Sequence, residues 1–133
     1  MHEEFPLRQL GPHAVIAMPA EIDMTNADQV GQALLAAASP GVAVLVIDMS
    51  RTTFCDSAGV HAVITAYRHA VTTGTQLRLV ATAVLRIFSV IGADEVIPLY
   101  RTLDEALADA APASATSGDP GDGLGKGAAR SQP

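Results

Sequence analysis

An α/β fold with a mostly parallel or mixed sheet of about five strands is the fold class that the sequence predicts, and two observations predict it. Segments typical of strands alternate with segments whose apolar residues recur at helical spacing. Residues 42–47 are apolar at every position, which is typical of a parallel strand covered on both faces. Strands that alternate with helices in this way favour crossover helices packed over one sheet.

The first half of the chain predicts a hairpin, a helix and then the central strand. Residues 5–10 and 13–18 are extended segments joined by Gly11-Pro12, a strong turn signal. The next helix ends at a Ser-Pro-Gly break, and its predicted buried face carries four apolar residues: Ala27, Val30, Leu34 and Ala37. Residues 42–47 then form the central strand.

The second helix follows Asp56-Ser57 and has the clearest pattern in the sequence. Its predicted buried stripe consists of large and small apolar residues at i, i+3, i+4 and i+7 spacing: Val60, Val63, Ile64, Tyr67, Ala70 and Val71. Polar side chains lie outside this stripe, and a Thr-Gly-Thr sequence ends the helix. We therefore expect one apolar side and one solvent-facing side.

The remaining segments complete the alternation of strands and helices. Residues 77–81 predict a strand, and residues 84–91 predict a short helix with a glycine at its C-terminal end. Residues 96–100 predict a strand at the edge of the sheet, because Pro98 cannot donate a ladder hydrogen bond. The last helix is expected to begin at Thr102, with a glutamate three residues later as in a capping box.

The 133 residues are expected to form one domain, residues 1–111, and a disordered tail, residues 112–133. The tail is rich in Ala, Ser, Gly, Pro and Asp, and Leu124 is its only large apolar residue. Such a segment cannot bury enough apolar surface to offset the entropy lost on ordering.

Charge and cysteine content exclude several classes of protein. The net charge is −6, with 8 Lys and Arg against 14 Asp and Glu, so direct binding to a nucleic-acid backbone is not expected. The single Cys55 cannot form an intramolecular disulfide, and the N-terminus lacks the pattern of a signal peptide. No apolar run is long enough to cross a bilayer. We expect a cytoplasmic protein that does not bind membranes.

Motifs of enzymes, metal sites and cofactor sites are missing from the sequence. There is no Gly-rich phosphate loop, no Walker A motif, no zinc-protease motif and no cysteine pair. His61 and His69 lie eight residues apart on one helix, about 12 Å along its axis, which is too far to chelate one metal ion. We expect no metal, no cofactor and no catalytic activity.

The junction between the central strand and the second helix is the candidate functional site. Ser57 is placed at the helix N-terminus, where unpaired amide groups and the helix dipole favour a negative charge. The alternative is that Asp56 or Ser57 is only an N-cap, as such residues are in most helices. The residues by themselves do not decide between a site and a cap.

Residues 47–60, IDMSRTTFCDSAGV, resemble the signature of the STAS family, named from sulfate transporters and anti-sigma factor antagonists. Residues 20–23, AEID, resemble a second motif of the family at the corresponding distance upstream. The resemblance extends over roughly residues 5–110. It implies an antagonist that binds an anti-sigma factor with serine kinase activity, releases a sigma factor, and is inactivated when that kinase phosphorylates Ser57. A phosphatase would then restore Ser57.

The resemblance, with proximity to Ser57, also suggests a partner-binding surface. It comprises residues of the two motifs and polar residues of the second helix: Asp23, Asp56, Ala58, Gly59, His61, Thr65 and Arg68. The sequence departs from the family pattern at Ala20, where glycine is usual, and at His61, where a small residue often stands. His61 adds bulk and a titratable group to this surface, which would affect the choice of partner.

Two other functions compete with the antagonist hypothesis. A hydrolase that uses Ser57 as nucleophile would need an activating base, yet no Gly-x-Ser-x-Gly motif surrounds the serine and no histidine is paired with it in the sequence pattern. The same fold could instead serve as a scaffold or sensor subunit of a stress-signalling complex, or regulate a phosphatase. Cys55 is expected to fill a small semi-buried site, and Thr52 is expected to stabilise a turn.

Overall fold

Alternating apolar side chains along the strands build a mixed sheet with two covered faces. A computed structural model of the chain describes residues 5–109. Five strands form the main sheet in the spatial order β1-β2-β4-β6-β7, and two shorter strands pair separately. The strands are β1 Leu7–Leu10, β2 His13–Ala17, β3 Glu21–Ile22, β4 Val44–Met49, β5 Phe54–Cys55, β6 Gln76–Ala81 and β7 Leu99–Tyr100.

The main sheet confirms the predicted fold class. β1 and β2 are antiparallel, and the other pairs are parallel. The predicted hairpin is present, with Gly11 at a φ of 64° in its turn. The strand predicted as central, β4, lies between β2 and β6, and β7 lies at the edge as Pro98 indicated. β7 contains only two of the five predicted residues, since Val96, Ile97 and Pro98 belong to the connection before it.

Four α-helices and one 3-10 helix connect these strands. They are α1 Ala27–Ala37, α2 Ser57–Thr73, α3 Leu85–Val90, the 3-10 helix Ala93–Glu95 and α4 Leu103–Ala108. α1 buries the four residues that the spacing predicted. α2 ends at Gly74, whose φ of 77° is the left-handed conformation that a helix C-terminus often requires. Thr102 caps α4 through a 3.1 Å hydrogen bond from the Glu105 amide, as predicted.

The two faces of the sheet carry different cores. One face, which we call the groove face, packs against α1, α2 and α3 through a large apolar cluster that includes Ile16, Ile47 and Leu79. The opposite face, which we call the α4 face, has a smaller cluster that includes Val46, Val80 and, from α4, Ala106. Adjacent residues of each strand point to opposite faces, so both faces of β4 are buried.

The buried side of α2 differs from the predicted stripe. The buried residues are mostly small: Gly59, Ala62, Val63, Ala66 and Ala70. Of the predicted stripe, Val60, Ile64 and Tyr67 are only partly buried, and Val71 is 60 % exposed. α1 packs closely along this side, and Gly31 of α1 lies beside Ala62. Close helix packing favours small side chains, which contribute little to an apolar periodicity.

The predicted tail, residues 112–133, lies outside the described residues, so its disorder stays a prediction. Within residues 5–109, no helix has the length and the apolar character needed to cross a membrane.

Candidate functional site

Two short chain segments run side by side and bring the two sequence motifs together. β3 and β5 pair in parallel, with Ile22 opposite Cys55. Outside the strands, the Thr53 amide donates to the Ala20 carbonyl at 2.8 Å, and the Asp56 amide donates to the Ile22 carbonyl at 3.1 Å. Asp23 follows β3 and Asp56 follows β5, so the two residues lie next to each other at the C-terminal end of this strand pair.

Thr52 anchors the start of the paired segments. Its side chain is fully buried, and its hydroxyl donates a 2.8 Å hydrogen bond to the Pro19 carbonyl. The turn role predicted for the Thr52 side chain is wrong, because its hydroxyl bonds a carbonyl 33 residues earlier and joins two distant segments. Asp48 acts locally, because its carboxylate accepts a 3.0 Å hydrogen bond from the Ser50 amide.

Asp56 is the N-cap of α2. Its Oδ1 atom accepts hydrogen bonds from the amides of Ala58, at 2.9 Å, and Gly59, at 3.1 Å. The carboxylate also places a negative charge at the positive end of the helix dipole. Of the two residues proposed as an N-cap, Asp56 has that role. These two amides are thus already paired and do not offer an open anion site.

Ser57 is the first residue of α2 and is exposed. Asp56 supplies the cap, so the serine hydroxyl is not needed for it. No hydrogen bond from residues 5–109 engages that hydroxyl. The local structure therefore holds Ser57 in a fixed position while leaving its oxygen accessible to solvent and to a partner.

Gly59 and Cys55 pack tightly beneath the start of α2. A Cβ atom at position 59 would lie 2.6 Å from Cys55 Sγ and 2.7 Å from Ile22 Cγ2, so only glycine fits this helix against β3 and β5. Cys55 is buried as expected. Burial, together with the nearby Asp56 carboxylate, raises the pKa of the Cys55 thiol to about 11, because both disfavour the thiolate.

Asp23 organises the turn that leads into α1. Its Oδ1 atom accepts hydrogen bonds from the Thr25 hydroxyl, at 2.5 Å, and from the Thr25 amide, at 2.9 Å. These two donors, the hydroxyl first, lower the pKa of the Asp23 carboxyl below its ordinary value because they stabilise the charged form. The carboxylate is thus held ionised, partly exposed, beside the start of α2.

A groove of about 420 Å³ separates α1 and α2 and begins at Ser57. α2 contributes Ser57, Ala58, His61, Ala62 and Thr65, and α1 contributes Ala27, Asp28, Gly31, Gln32 and Leu35. Small residues form much of the lining, whereas Asp28, Gln32, His61 and Thr65 supply polar groups. The wall from α1 was not predicted, although the 28, 32, 35 spacing places those residues on one helix face.

The predicted partner-binding residues are placed differently with respect to this groove. Ala58, His61 and Thr65 line it together with Ser57, while Arg68 is exposed further along α2. Asp23 and Asp56 lie at the end where α2 begins. Gly59 is buried, so its visible role is to let β3 and β5 approach α2. Any effect of Gly59 on a partner would act through the position of Ser57.

His61 projects from α2 into solvent at the groove. Its Nε2 atom lies 3.5 Å from Thr65 Oγ1, one helical turn further along. His61 does not contact the Ser57 hydroxyl through a hydrogen bond, so the pair lacks the arrangement of an activated serine nucleophile. In the part of the chain that the structure describes, no cluster of three His, Cys, Asp or Glu side chains could hold a metal ion.

The fold and this site define a small α/β domain that displays an uncapped serine at a helix N-terminus beside an open groove. The chain belongs to the STAS domain family, whose model matches residues 4–106. The family that the two motifs suggested is therefore confirmed. No curated protein sequence gives a significant match to the chain.

Solved structures of anti-sigma factor antagonists are similar to this chain. An anti-sigma factor antagonist from Mycobacterium paratuberculosis is 33% identical, with a TM-score of 0.69, over 78% of this chain and 90% of that one. An anti-sigma-factor antagonist (STAS) domain protein from Planctomyces limnophilus is 23% identical, with a TM-score of 0.68, over 77% and 93%. The Bacillus cell fate determinant SpoIIAA, in its phosphorylated form, is 21% identical, with a TM-score of 0.60, over 78% and 96%.

Proposed function

We propose that this protein is a cytoplasmic anti-sigma factor antagonist that binds a kinase-type anti-sigma factor and loses that affinity when Ser57 is phosphorylated. The similarity to the antagonist from Mycobacterium paratuberculosis, at 33% identity over most of both chains, supports the class of partner. SpoIIAA, which shares this fold, is known in a phosphorylated form, which supports phosphorylation as the switch.

The accessibility of Ser57 is the observation that carries the proposal. The residue is exposed at the first position of α2, and Asp56 already fills the capping role. A kinase can therefore reach the oxygen without breaking a hydrogen bond made by residues 5–109. In the proposed step the serine oxygen attacks the γ-phosphorus of ATP bound to the partner, ADP leaves, and the serine proton is released. This chain supplies the acceptor and needs no cofactor.

The groove and its neighbours provide the proposed contact surface. Ser57, His61 and Thr65 line the groove, and Arg68 extends the exposed side of α2 beyond it. A partner that covers these residues would bury the Ser57 hydroxyl at its edge. Binding and phosphorylation would then use the same surface, which allows the modification to end the interaction.

Phosphorylation is expected to act on binding and to leave the fold intact. A phosphoserine adds about −1.5 to −2 charges at neutral pH. At position 57 it would join Asp56, the nearby Asp23, and Asp28 across the groove, and a docked partner would have to desolvate this negative region. An added cost of about 3 kcal/mol would lower affinity roughly a hundredfold. The exposed position of Ser57 gives the phosphate room without disturbing the core.

Phosphorylation mapping with a cognate anti-sigma factor tests the proposal. The chain is incubated with the kinase and ATP, and the modified peptide is identified by mass spectrometry. Modification at Ser57, absent from Ser57→Ala, is the expected result. Equally efficient modification of Ser57→Ala at another residue would refute the assignment. Calorimetry paired with thermal unfolding should show weaker binding after phosphorylation with little change in Tm, since the change lies at the interface.

Affinity measurements on Arg68→Glu test the contact surface, with Arg86→Glu on the exposed side of α3 as the control. Arg68→Glu should weaken binding while Arg86→Glu does not, because only Arg68 extends the groove side of α2. Recovery of the protein from cell extract with a large multi-subunit assembly, and without a kinase-type anti-sigma factor, would instead favour the scaffold or sensor function.

A further inference from the structure

We propose that His61 binds the phosphate group once Ser57 is phosphorylated, and so acts as an internal counter-charge for the modified form. The inference rests on the proposed function in one respect only, the presence of phosphate on Ser57. It concerns this chain in particular, since a small residue often stands at this position in the family pattern. The modified serine and the histidine would then form one site whose charge depends on pH.

Helix geometry places the two side chains together. Ser57 and His61 are four residues apart on α2, and both line the groove. Side chains at this spacing have Cβ atoms about 5–6 Å apart. A phosphate on the serine oxygen fills the remaining distance to the imidazole ring.

Two of the backbone amides at the start of α2 are already occupied and do not face an incoming phosphate. The amides of Ala58 and Gly59, which would otherwise face an anion there, donate to Asp56 Oδ1. A phosphate could use them only by displacing that carboxylate. The cap that positions Ser57 thus leaves fewer backbone donors for a phosphate at this residue, which can take a side chain as a further partner.

The charged groups around the site single out His61 as that partner. Among the residues that line the groove, His61 is the one basic side chain, and Asp28 on α1 is the one acid. Asp56 contributes a second negative charge where α2 begins. Arg68 lies eleven residues beyond Ser57, about 16 Å along the helix axis. A phosphate on Ser57 would add to the negative charge that already surrounds the His61 ring.

The ring of His61 has a nitrogen available for this contact. Nε2 lies 3.5 Å from Thr65 Oγ1, whereas Nδ1 has no hydrogen-bond partner among residues 5–109. A protonated imidazole has a donor on each nitrogen, so it can keep Thr65 on one side and reach the phosphate on the other. The contact pairs an imidazolium with a phosphate dianion, so it is lost at alkaline pH, where imidazole is neutral, and is weakened at acidic pH, where the phosphate keeps a second proton.

A phosphate titration on the full chain tests the contact. Phosphoserine is inserted at position 57 during translation, and ³¹P NMR follows its second ionisation, which is ordinarily near pH 6. The imidazolium stabilises the dianion, so its midpoint in the phosphorylated parent should lie about 0.4 pH unit below that of phosphorylated His61→Gln. His69→Gln, two turns further along α2, is the matched control and should leave the midpoint unchanged.

Equal midpoints in the phosphorylated parent and in His61→Gln would overturn the proposal, as would the same shift in His69→Gln. A second measurement needs no substitution. The ring ¹⁵N resonances of His61 should move on phosphorylation while those of His69 stay in place, and a static His61 signal would also refute the contact. Because phosphoserine is inserted without a kinase, neither result depends on whether a kinase modifies Ser57 in the cell. The mapping experiment tests that separately.

Discussion

The two faces of the sheet are held together by different interactions. The groove face packs α1 and α2 through apolar contacts, many of them between small residues. The α4 face has only a small apolar cluster, and it buries two polar side chains, His13 and Arg78. On the groove face, apolar contacts between small residues of α1 and α2 leave an open groove with Ser57 at its end. On the α4 face, directional hydrogen bonds hold the short helix α4 in place. The proposed functional surface thus lies on the face with the larger apolar cluster.

Arg78 is the centre of the polar anchor on the α4 face. It is 2 % exposed, and its Nη1 atom donates to the carbonyls of Ala106, at 2.6 Å, and Asp109, at 3.0 Å. Its Nε atom donates to Gln76 Oε1 at 2.7 Å. Cations at the C-terminal end of a helix satisfy unpaired carbonyls and oppose the dipole. The C-terminal end of the six-residue helix α4 is held in this way.

Removing Arg78 should produce the largest loss of stability. It tests whether polar contacts, and not apolar ones, hold the α4 face together. Arg78→Ala leaves buried carbonyls unpaired and removes the packing of the arginine stem, so we expect a loss of about 3 kcal/mol. Arg86→Ala, an exposed arginine on α3, should change stability by less than about 0.5 kcal/mol. Urea unfolding measures both. A loss below about 1 kcal/mol for Arg78→Ala would show that α4 is held by its apolar contacts.

Adding a methyl group at Gly59, in the first turn of α2, should cause the second largest loss of stability. Gly59→Ala forces a Cβ atom against Cys55 and Ile22, and overpacking of this kind costs about 2 kcal/mol. Gly31→Ala on α1 is the matched control, since its Cβ atom would meet Ala62 at an ordinary 3.7 Å. The control should stabilise the protein slightly because alanine favours helix. Equal stability of the two variants in thermal unfolding would contradict the close packing under α2.

Substitutions at the N-caps compare how much capping stabilises α2 on the groove face and α4 on the α4 face. Asp56→Ala leaves two amides of α2 without their acceptor, and we expect a loss of about 1.5 kcal/mol. Thr102→Ala removes a single bond at the start of α4 and should cost about 1 kcal/mol. Chemical denaturation of each variant gives the two values. A larger loss for Thr102→Ala would reverse the expected order.

Alkaline pH should weaken the α4 face gradually. Burial, followed by the hydrogen bond to Asp109, raises the pKa of Tyr100 to about 12, while the nearby Arg78 opposes the shift. The ordinary pKa of tyrosine is near 10. The contribution of Tyr100 to the free energy of unfolding is therefore fully present below pH 10 and is lost as the pH rises through 12. Unfolding free energies measured from pH 9 to 12 should fall less steeply for Tyr100→Phe than for the parent. Cys55→Ser should be measured alongside, because its thiol titrates within the same range.

Most of the fold follows from local patterns in the sequence. The buried residues of α1, the central position of β4 and the cap of α4 could all be predicted, since periodicity, β-branched runs and capping sequences act over a few residues. Within the predicted stripe of α2, Val71 was wrong, and most of the small buried residues of that helix were missed, because alanine and glycine give no strong apolar signal. Only the partner helix α1 shows which side of α2 is covered.

The candidate site could be predicted only in part. Ser57, Asp56 and Asp23 stood out through two sequence motifs, and the structure places both motifs at the start of α2. β3 and β5, which join them, were missed because each has two residues and forms only through pairing with the other. The wall made by Asp28, Gln32 and Leu35 also required the packing of α1 on α2, which no local pattern specifies.

The pairing of β3 with β5 also determines when the site appears as the chain folds. The contacts of Thr52 and Thr53 with Pro19 and Ala20 join residues 33 positions apart, with α1 and β4 between them. Closing such a loop carries an entropic cost that is recovered only when the intervening elements pack. A chain emerging from the ribosome therefore cannot assemble the site before β5 has been synthesised. Display of Ser57 at the start of α2 therefore depends on contacts between distant segments and not on the local sequence alone.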